Sequence, residues 1–172
     1  MPIISRTKKG EYSTAPEGLH NSVCCDVIDK GLVQTEWGEK YQVQIRWQLE
    51  EIDPEANPPR PFLVMATYTN SLHEKSRLRP MLEAWRGKKF TAEELDGFDL
   101  EKLLGAPCQV QVVHAITNKG TYANVQAVVP AAKGSTKLRV SADYIRVCER
   151  EKRAQLENEP DVFEAEDSDV PF

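Results

Sequence analysis

The 172-residue chain contains no apolar run near the roughly 18 residues that a membrane-spanning helix needs. Its opening, Met1-Pro2-Ile3-Ile4-Ser5-Arg6-Thr7-Lys8-Lys9, has no apolar stretch of the signal-peptide kind. These absences predict a cytoplasmic protein with no membrane partner. Cysteine is sparse: Cys24 and Cys25 are adjacent, and Cys108 and Cys148 stand alone. No C-x-x-C pair suggests zinc or dithiol chemistry, and His20 and His114 lack partners at ligand spacing, so reduced, partly buried thiols are expected. Neither G-x-x-x-x-G-K-[ST], G-x-S-x-G nor H-E-x-x-H occurs. Asp96, Asp99 and Glu101 fit caps and solvent faces better than a metal site. The expectation is a protein that is no enzyme and holds neither metal nor cofactor.

Charge is abundant but unevenly placed. The net charge is −5, yet the final sixteen residues hold seven acids (Glu157, Glu159, Asp161, Glu164, Glu166, Asp167, Asp169) and no Lys or Arg. Residues 1–156 are therefore at +2. An anionic partner would meet a mildly basic body that carries an acidic arm.

The body alternates as β-structure does. Residues 19–28 have strand composition, with Asp29-Lys30-Gly31 as an expected break. Tyr41, Val43, Ile45, Trp47 and Leu49 alternate with polar residues, which predicts one buried and one polar face. A turn at Glu36-Trp37-Gly38-Glu39 joins these two strands. Pro54, Pro58, Pro59 and Pro61 interrupt the chain before a third strand over 62–69. Leu78, Met81, Leu82 and Trp85 share a helical face, with Pro80 tolerable only in its first turn. Phe90-Thr91-Ala92-Glu93-Glu94-Leu95 reads as a capping box with a staple, and Asp99 opens a short turn closed by Gly105. Strands are expected over 108–112 and 121–129, the latter setting Ala123, Val125, Ala127 and Val129 against Tyr122, Asn124 and Gln126. The hairpin turn between them is Asn118-Lys119-Gly120. Residues 138–147 suggest one more strand and 149–157 a helix; the composition beyond is that of a disordered segment.

Three strands, a helical insertion and two strands make the order of a five-stranded OB barrel, an all-β fold with its helix between strands 3 and 4. Ig-like and SH3-like barrels do not expect about 30 helical residues at that place. The division expected is 1–148 for the barrel and 149–172 for a flexible acidic tail.

The tail ends Asp167-Ser168-Asp169-Val170-Pro171-Phe172. A terminal Phe offers a ring to an apolar pocket and a carboxylate to a basic residue, the two acids engage Lys or Arg, and Pro171 restricts the backbone. This tip resembles that of bacterial single-stranded DNA-binding proteins, which implies docking on replication, recombination and repair proteins through Asp167, Asp169, Val170, Pro171 and Phe172. Residues 82–90 (Leu-Glu-Ala-Trp-Arg-Gly-Lys-Lys-Phe) and 98–105 (Phe-Asp-Leu-Glu-Lys-Leu-Leu-Gly) resemble a family of small bacteriophage-encoded proteins found among replication and recombination genes, over roughly residues 10–130. The resemblance implies an OB-fold binder of single-stranded DNA, a phage origin and action in the host cytoplasm.

Which residues would touch DNA follows from chemistry. Phosphates need cations and bases need flat side chains to stack on, and an OB barrel uses strands two and three with the 1–2 and 4–5 loops. Arg46 lies on the polar face of strand two, Trp37 and Lys40 at the first loop, Lys119 and Tyr122 at the second, and Tyr68 and Thr69 at the end of strand three. Trp37 serves equally as a cap of the barrel, and Lys119 and Tyr122 equally as an ordinary exposed hairpin. Trp47 and Trp85 read as core. The short runs Lys88-Lys89 and Arg6-Lys8-Lys9 read as solvated, with phosphate contacts as the other reading. A homo-oligomer is compatible with all of this. The alternative function is an adaptor that occupies the docking sites of host proteins through the same tail without binding DNA.

Overall fold

The computed structural model describes residues 14–158. Five antiparallel strands form one open, curved sheet in the order β3-β2-β1-β4-β5. They are β1 (Gly18–Thr35), β2 (Gly38–Asp53), β3 (Arg60–Thr69), β4 (Pro107–Thr117) and β5 (Gly120–Pro130). Helices α1 (Leu78–Arg86) and α2 (Ala92–Asp96) and a 3-10 turn at Leu100–Leu103 lie between β3 and β4 in the chain, and α3 (Val147–Asn158) follows the last strand.

β1 is longer than its composition suggests. Its first third pairs with β4, from Gly18 opposite Val112 to Val23 opposite Pro107. From Ser22 onward it pairs with β2, as far as Thr35 opposite Gly38. Two register shifts bend it, one between Cys24 and Asp26 and one between Asp29 and Gly31. The expected break at Asp29-Lys30-Gly31 is thus a β-bulge inside a continuous strand. Gly31 takes φ 67° there, and its N–H donates to Asp29 Oδ1 at 2.8 Å. Turn-forming residues and a bulge call for the same left-handed backbone, which is why one imitates the other.

The alternation of β2 holds where the core lies beneath it. Val43, Ile45, Trp47 and Leu49 are buried, but Tyr41 is 63% exposed because the hairpin runs on past the core. The proline-rich interruption is shorter than expected, since β2 reaches Asp53 and β3 starts at Arg60 with Pro61 inside it, opposite Ile52. In β5 a register shift opposite Gln111 and Val112 inserts an extra residue at Gln126. Inward positions change phase there, so Val128, at 2% exposure, is the buried residue rather than Val129.

The two edge strands, β3 and β5, approach one another, and α1 packs against β5. Leu78, Leu82 and Trp85 form the buried face of α1, with the Trp85 and Trp47 rings 6.0 Å apart. Pro80 sits in the first turn, where its missing N–H costs little. Gly87 ends the helix in the left-handed region and donates to Glu83 O. Thr91 and Glu94 form the expected capping box of α2, and Asp99 caps the 3-10 turn. His20 and His114 serve as clamps on the entering chain: Nε2 of each lies 2.7 and 2.6 Å from the carbonyls of Pro16 and Ala15. A carbonyl only accepts, so that nitrogen carries the proton in both rings.

Residues 138–147 do not add a strand. They form an irregular strap held to the outer side of the sheet by Asp26, a carboxylate with no exposure. Asp26 Oδ2 accepts from the Tyr144 hydroxyl and the Val147 N–H, each at 2.9 Å, and Oδ1 accepts from Arg146 Nε at 3.2 Å. Arg146 also donates to Val27 O, and the Ser141 N–H donates to Gln48 Oε1 at 2.8 Å. A buried carboxylate needs such partners, and they came from a stretch with too little periodicity to read. The 148/149 boundary falls inside α3, whose first N–H is the one bound to Asp26.

Two outcomes follow. Asp26→Ala strands the Tyr144 hydroxyl and the Arg146 guanidinium and should lower the unfolding free energy by about 3 kcal/mol in urea titration; an unchanged midpoint would show that the strap is not anchored there. Cys24, Cys25 and Cys108 are buried while Cys148 is exposed. Burial pushes the Cys25 and Cys108 thiols up from 9.0 to about 12 and raises Cys24 as well. In the native protein one thiol of the four should react quickly with a chromogenic disulfide. Because the folded state favours the neutral thiols, their contribution is intact below pH 9 and is lost as pH climbs towards 12, so alkaline titration should show stability falling across that window.

Candidate functional site

The outward residues of β2 and β3 build a polar floor. Gln42 lies opposite Thr69, Gln44 opposite Thr67 and Arg46 opposite Met65. Gln44 Nε2 donates to Thr67 Oγ1 at 3.4 Å, and Arg46 Nε donates to Gln44 Oε1 at 3.0 Å. These bonds lay the Arg46 side chain along the sheet. Lys40 continues the same row towards the β1–β2 hairpin.

At that end the floor deepens into a groove of about 470 Å³ between the strands and the 70–77 loop. Lys40, Gln42, Thr67, Thr69, His73, Lys75 and Arg77 line it, and no carboxylate does. The loop is fixed by local chemistry. The Asn70 N–H donates to Tyr41 O at 2.8 Å, the His73 N–H to Ser71 Oγ at 3.2 Å and the Lys75 N–H to His73 Nδ1 at 3.1 Å. An Nδ1 that accepts leaves Nε2 to carry the ring proton. Tyr68 lies in the groove wall, but its ring is 8% exposed and belongs to the core. Burial raises its phenol above the ordinary value, with Arg77 opposing.

Both hairpin tips use one local design. At Thr35-Glu36-Trp37-Gly38 the Thr35 hydroxyl donates to Gly38 O at 2.6 Å and accepts the Trp37 N–H at 3.2 Å. At Thr117-Asn118-Lys119-Gly120 the Thr117 hydroxyl donates to Gly120 O at 2.9 Å and accepts the Lys119 N–H at 3.2 Å. Each turn displays its third residue, and each following glycine has positive φ, 98° and 131°. Trp37 is 86% exposed, so it is displayed rather than spent as a cap over the core. Beside it, Leu32 and Tyr41 are cross-strand partners and both exposed.

Of the six expected contact residues, Lys40 and Tyr68 line one groove, Arg46 lies further along the same floor, and Trp37 stands at the tip of the adjoining hairpin. Lys119 and Tyr122 sit on the β4–β5 hairpin and line no part of the groove. Tyr68 is brought to the site as structure rather than as a free ring. His73, Lys75 and Arg77 were missed, because Ser71-Leu72-His73-Glu74-Lys75-Ser76-Arg77 reads as a connector. Its available signal was three basic side chains in five positions directly after a strand.

Asp167, Asp169, Val170, Pro171 and Phe172, like Arg6, Lys8 and Lys9, lie outside the described residues. Among the described residues no three His, Cys, Asp or Glu side chains gather as metal ligands, and no helix is long and apolar enough to cross a membrane. No family model matches the chain, and no curated protein does either.

Proposed function

We propose that the protein binds single-stranded DNA, with little sequence preference, along the outer face of β2 and β3, and that its acidic tail recruits replication, recombination or repair proteins. The observation that carries this reading is the carboxylate-free groove, where Lys40, Lys75 and Arg77 converge beside a floor of Gln and Thr side chains. Such a groove follows a phosphate backbone without reading base edges. The strand order supports an OB barrel: β3 and β5, the edges of the sheet, approach beneath the inserted helices, and strands two and three form the ligand face of that fold. Trp37, displayed at the tip of the hairpin that carries Lys40, supplies a stacking surface.

The test is a salt-dependent titration with oligo-dT and with duplex of equal length. Lys40, Lys75, Arg77 and Arg46, each neutralising one phosphate, give a log–log slope of about −3 at 0.7 per phosphate on single strands. Lys75→Ala with Arg77→Ala should make the slope shallower by about 1.4. Trp37→Ala should cost about 1–3 kcal/mol of binding with unchanged circular dichroism. Tyr68→Ala is no counterpart to that variant, since it removes a core ring. Equal affinity for duplex and single strand would overturn the proposal.

The tail half of the proposal has its own readout. Phe172→Ala should abolish capture of replication or repair proteins and leave DNA affinity nearly unchanged. Capture that survives the substitution would remove the tip from that role.

A further inference from the structure

A second concavity adjoins the groove. It holds about 340 Å³ between α1 and β5, and Tyr68 and Arg77 belong to the lining of both. Arg77, Pro80, Met81 and Ala84 stand at i, i+3, i+4 and i+7, so they form one stripe of α1 beside its buried face. Opposite them runs β5 over residues 125–129. Among the described residues no carboxylate lines this cleft.

The open seam of the sheet supplies its polar groups. β3 and β5 are the two edges and do not pair with one another, so the backbone N–H and C=O groups on the outer edge of β5 have no strand partner. Gln126 is the extra residue at the register shift opposite Gln111 and Val112, which leaves it out of the ladder, and it is exposed. Tyr68 brings a hydroxyl. The residue is 8% exposed, and among the described residues its hydroxyl has no hydrogen-bond partner. The unpartnered side-chain atoms that are closed to solvent are the Trp47 indole nitrogen and Arg86 Nη1. The Tyr68 hydroxyl is not one of them, so an entering group can reach it. Most polar atoms this deep in a protein have a partner, and this one sits where the groove meets the cleft.

The order of groups describes the ligand: an anion at Arg77, then a flat apolar body, then an edge that hydrogen-bonds. A nucleotide has that order. We infer that the cleft takes in one nucleobase of the bound strand, with its phosphate on Arg77, its ring against Pro80, Met81 and the β5 side chains, and its edge on the Tyr68 hydroxyl and Gln126. The inference rests on the proposed DNA reading and deepens it by naming a base subsite beside the phosphate path. A hydroxyl and a carboxamide each donate and accept. The subsite therefore registers that a base is present without selecting which one, in keeping with weak sequence preference.

The experiment uses the full-length chain at low salt and oligo-dT in which 5-iodouracil replaces thymine. Irradiation should link the oligomer to Tyr68 or Met81, read by mass spectrometry of the cleaved protein. Two variants accompany it. Tyr68→Phe keeps the ring in the core and removes a hydroxyl that has no partner, so the unfolding midpoint should not fall, while oligo-dT affinity should drop about fivefold, the size of one neutral hydrogen bond. Ala84 is exposed on α1, so Ala84→Trp should leave circular dichroism unchanged, but its ring fills the cleft and should weaken oligo-dT about tenfold, as the loss of one base contact does. An abasic deoxyribose-phosphate oligomer of equal length has nothing to insert, and both variants should bind it as the wild type does. Crosslinks confined to Trp37, with both variants binding oligo-dT normally, would overturn the subsite while the groove reading stands, and would leave the cleft to an extended peptide added to β5. An equal loss for the abasic oligomer would also overturn it, by assigning the effect to phosphate. Wild-type protein that binds neither oligomer would overturn the subsite together with the DNA reading.

Discussion

One strand must serve two neighbours, and the rest of the sheet depends on how it does so. β1 pairs with β4 at its start and with β2 over the remainder. A flat strand would hold those hairpins in one plane and leave no enclosed core. The bulge at Cys25 places two residues opposite Arg46 and turns the strand where β4 ends its pairing, with Cys24 N–H and C=O bonded instead to Ala106 O and Gly105 N–H. The second bulge, at Lys30, twists the β1–β2 hairpin beyond the core and so presents Trp37 and Lys40 outside it. Both features add one residue to one strand, which shifts its facing by a single step.

That dependence explains what the amino-acid order disclosed and what it hid. Strands and helix caps were legible because each rests on a local period or a local bond: Ile45, Trp47 and Leu49 on alternation, Thr91 and Glu94 on one capping box. Bulges were not, because an extra residue changes the phase without changing composition; Val129 was expected inward and Val128 holds that place. The strap was hidden for another reason. Tyr144 and Arg146 acquire meaning only through Asp26, about 120 positions earlier, and no periodicity links them. At the candidate site, Lys40 and Arg46 were readable as the polar half of a strand. Lys75 and Arg77 were not, since their convergence on the groove depends on how the 70–77 loop is tied back to Tyr41 and Ser71.

Among the described residues, the cations of the groove and Arg86 stand in environments with different chemistry. Those of the groove stand among Gln, Thr and Ser without a carboxylate, so their fields add outward and favour a chain of anions. Arg86 lies against two aromatic rings with Glu94 on one side, where its charge is largely answered while its buried Nη1 has no acceptor. The first arrangement suits many weak, exchangeable phosphate contacts; the second suits a fixed contact between α1 and α2.

Asp26 bears on the first environment more than its position in a buried cluster suggests. It is the cross-strand neighbour of Arg46 on the outer side of the sheet, so a bare carboxylate there would face the path proposed for DNA and cancel the nearest cation. The strap prevents this by giving both carboxylate oxygens to Tyr144, Arg146 and the Val147 N–H. Arg146 brings a compensating positive charge at 3.2 Å, which leaves the field of Arg46 less opposed. The bulge at Cys25 bends β1 but also turns an acid onto the face proposed for DNA, and the strap that neutralises it is drawn from the segment leading into α3. Backbone curvature, the charge of the face and the start of α3 are thereby fixed by the same few contacts.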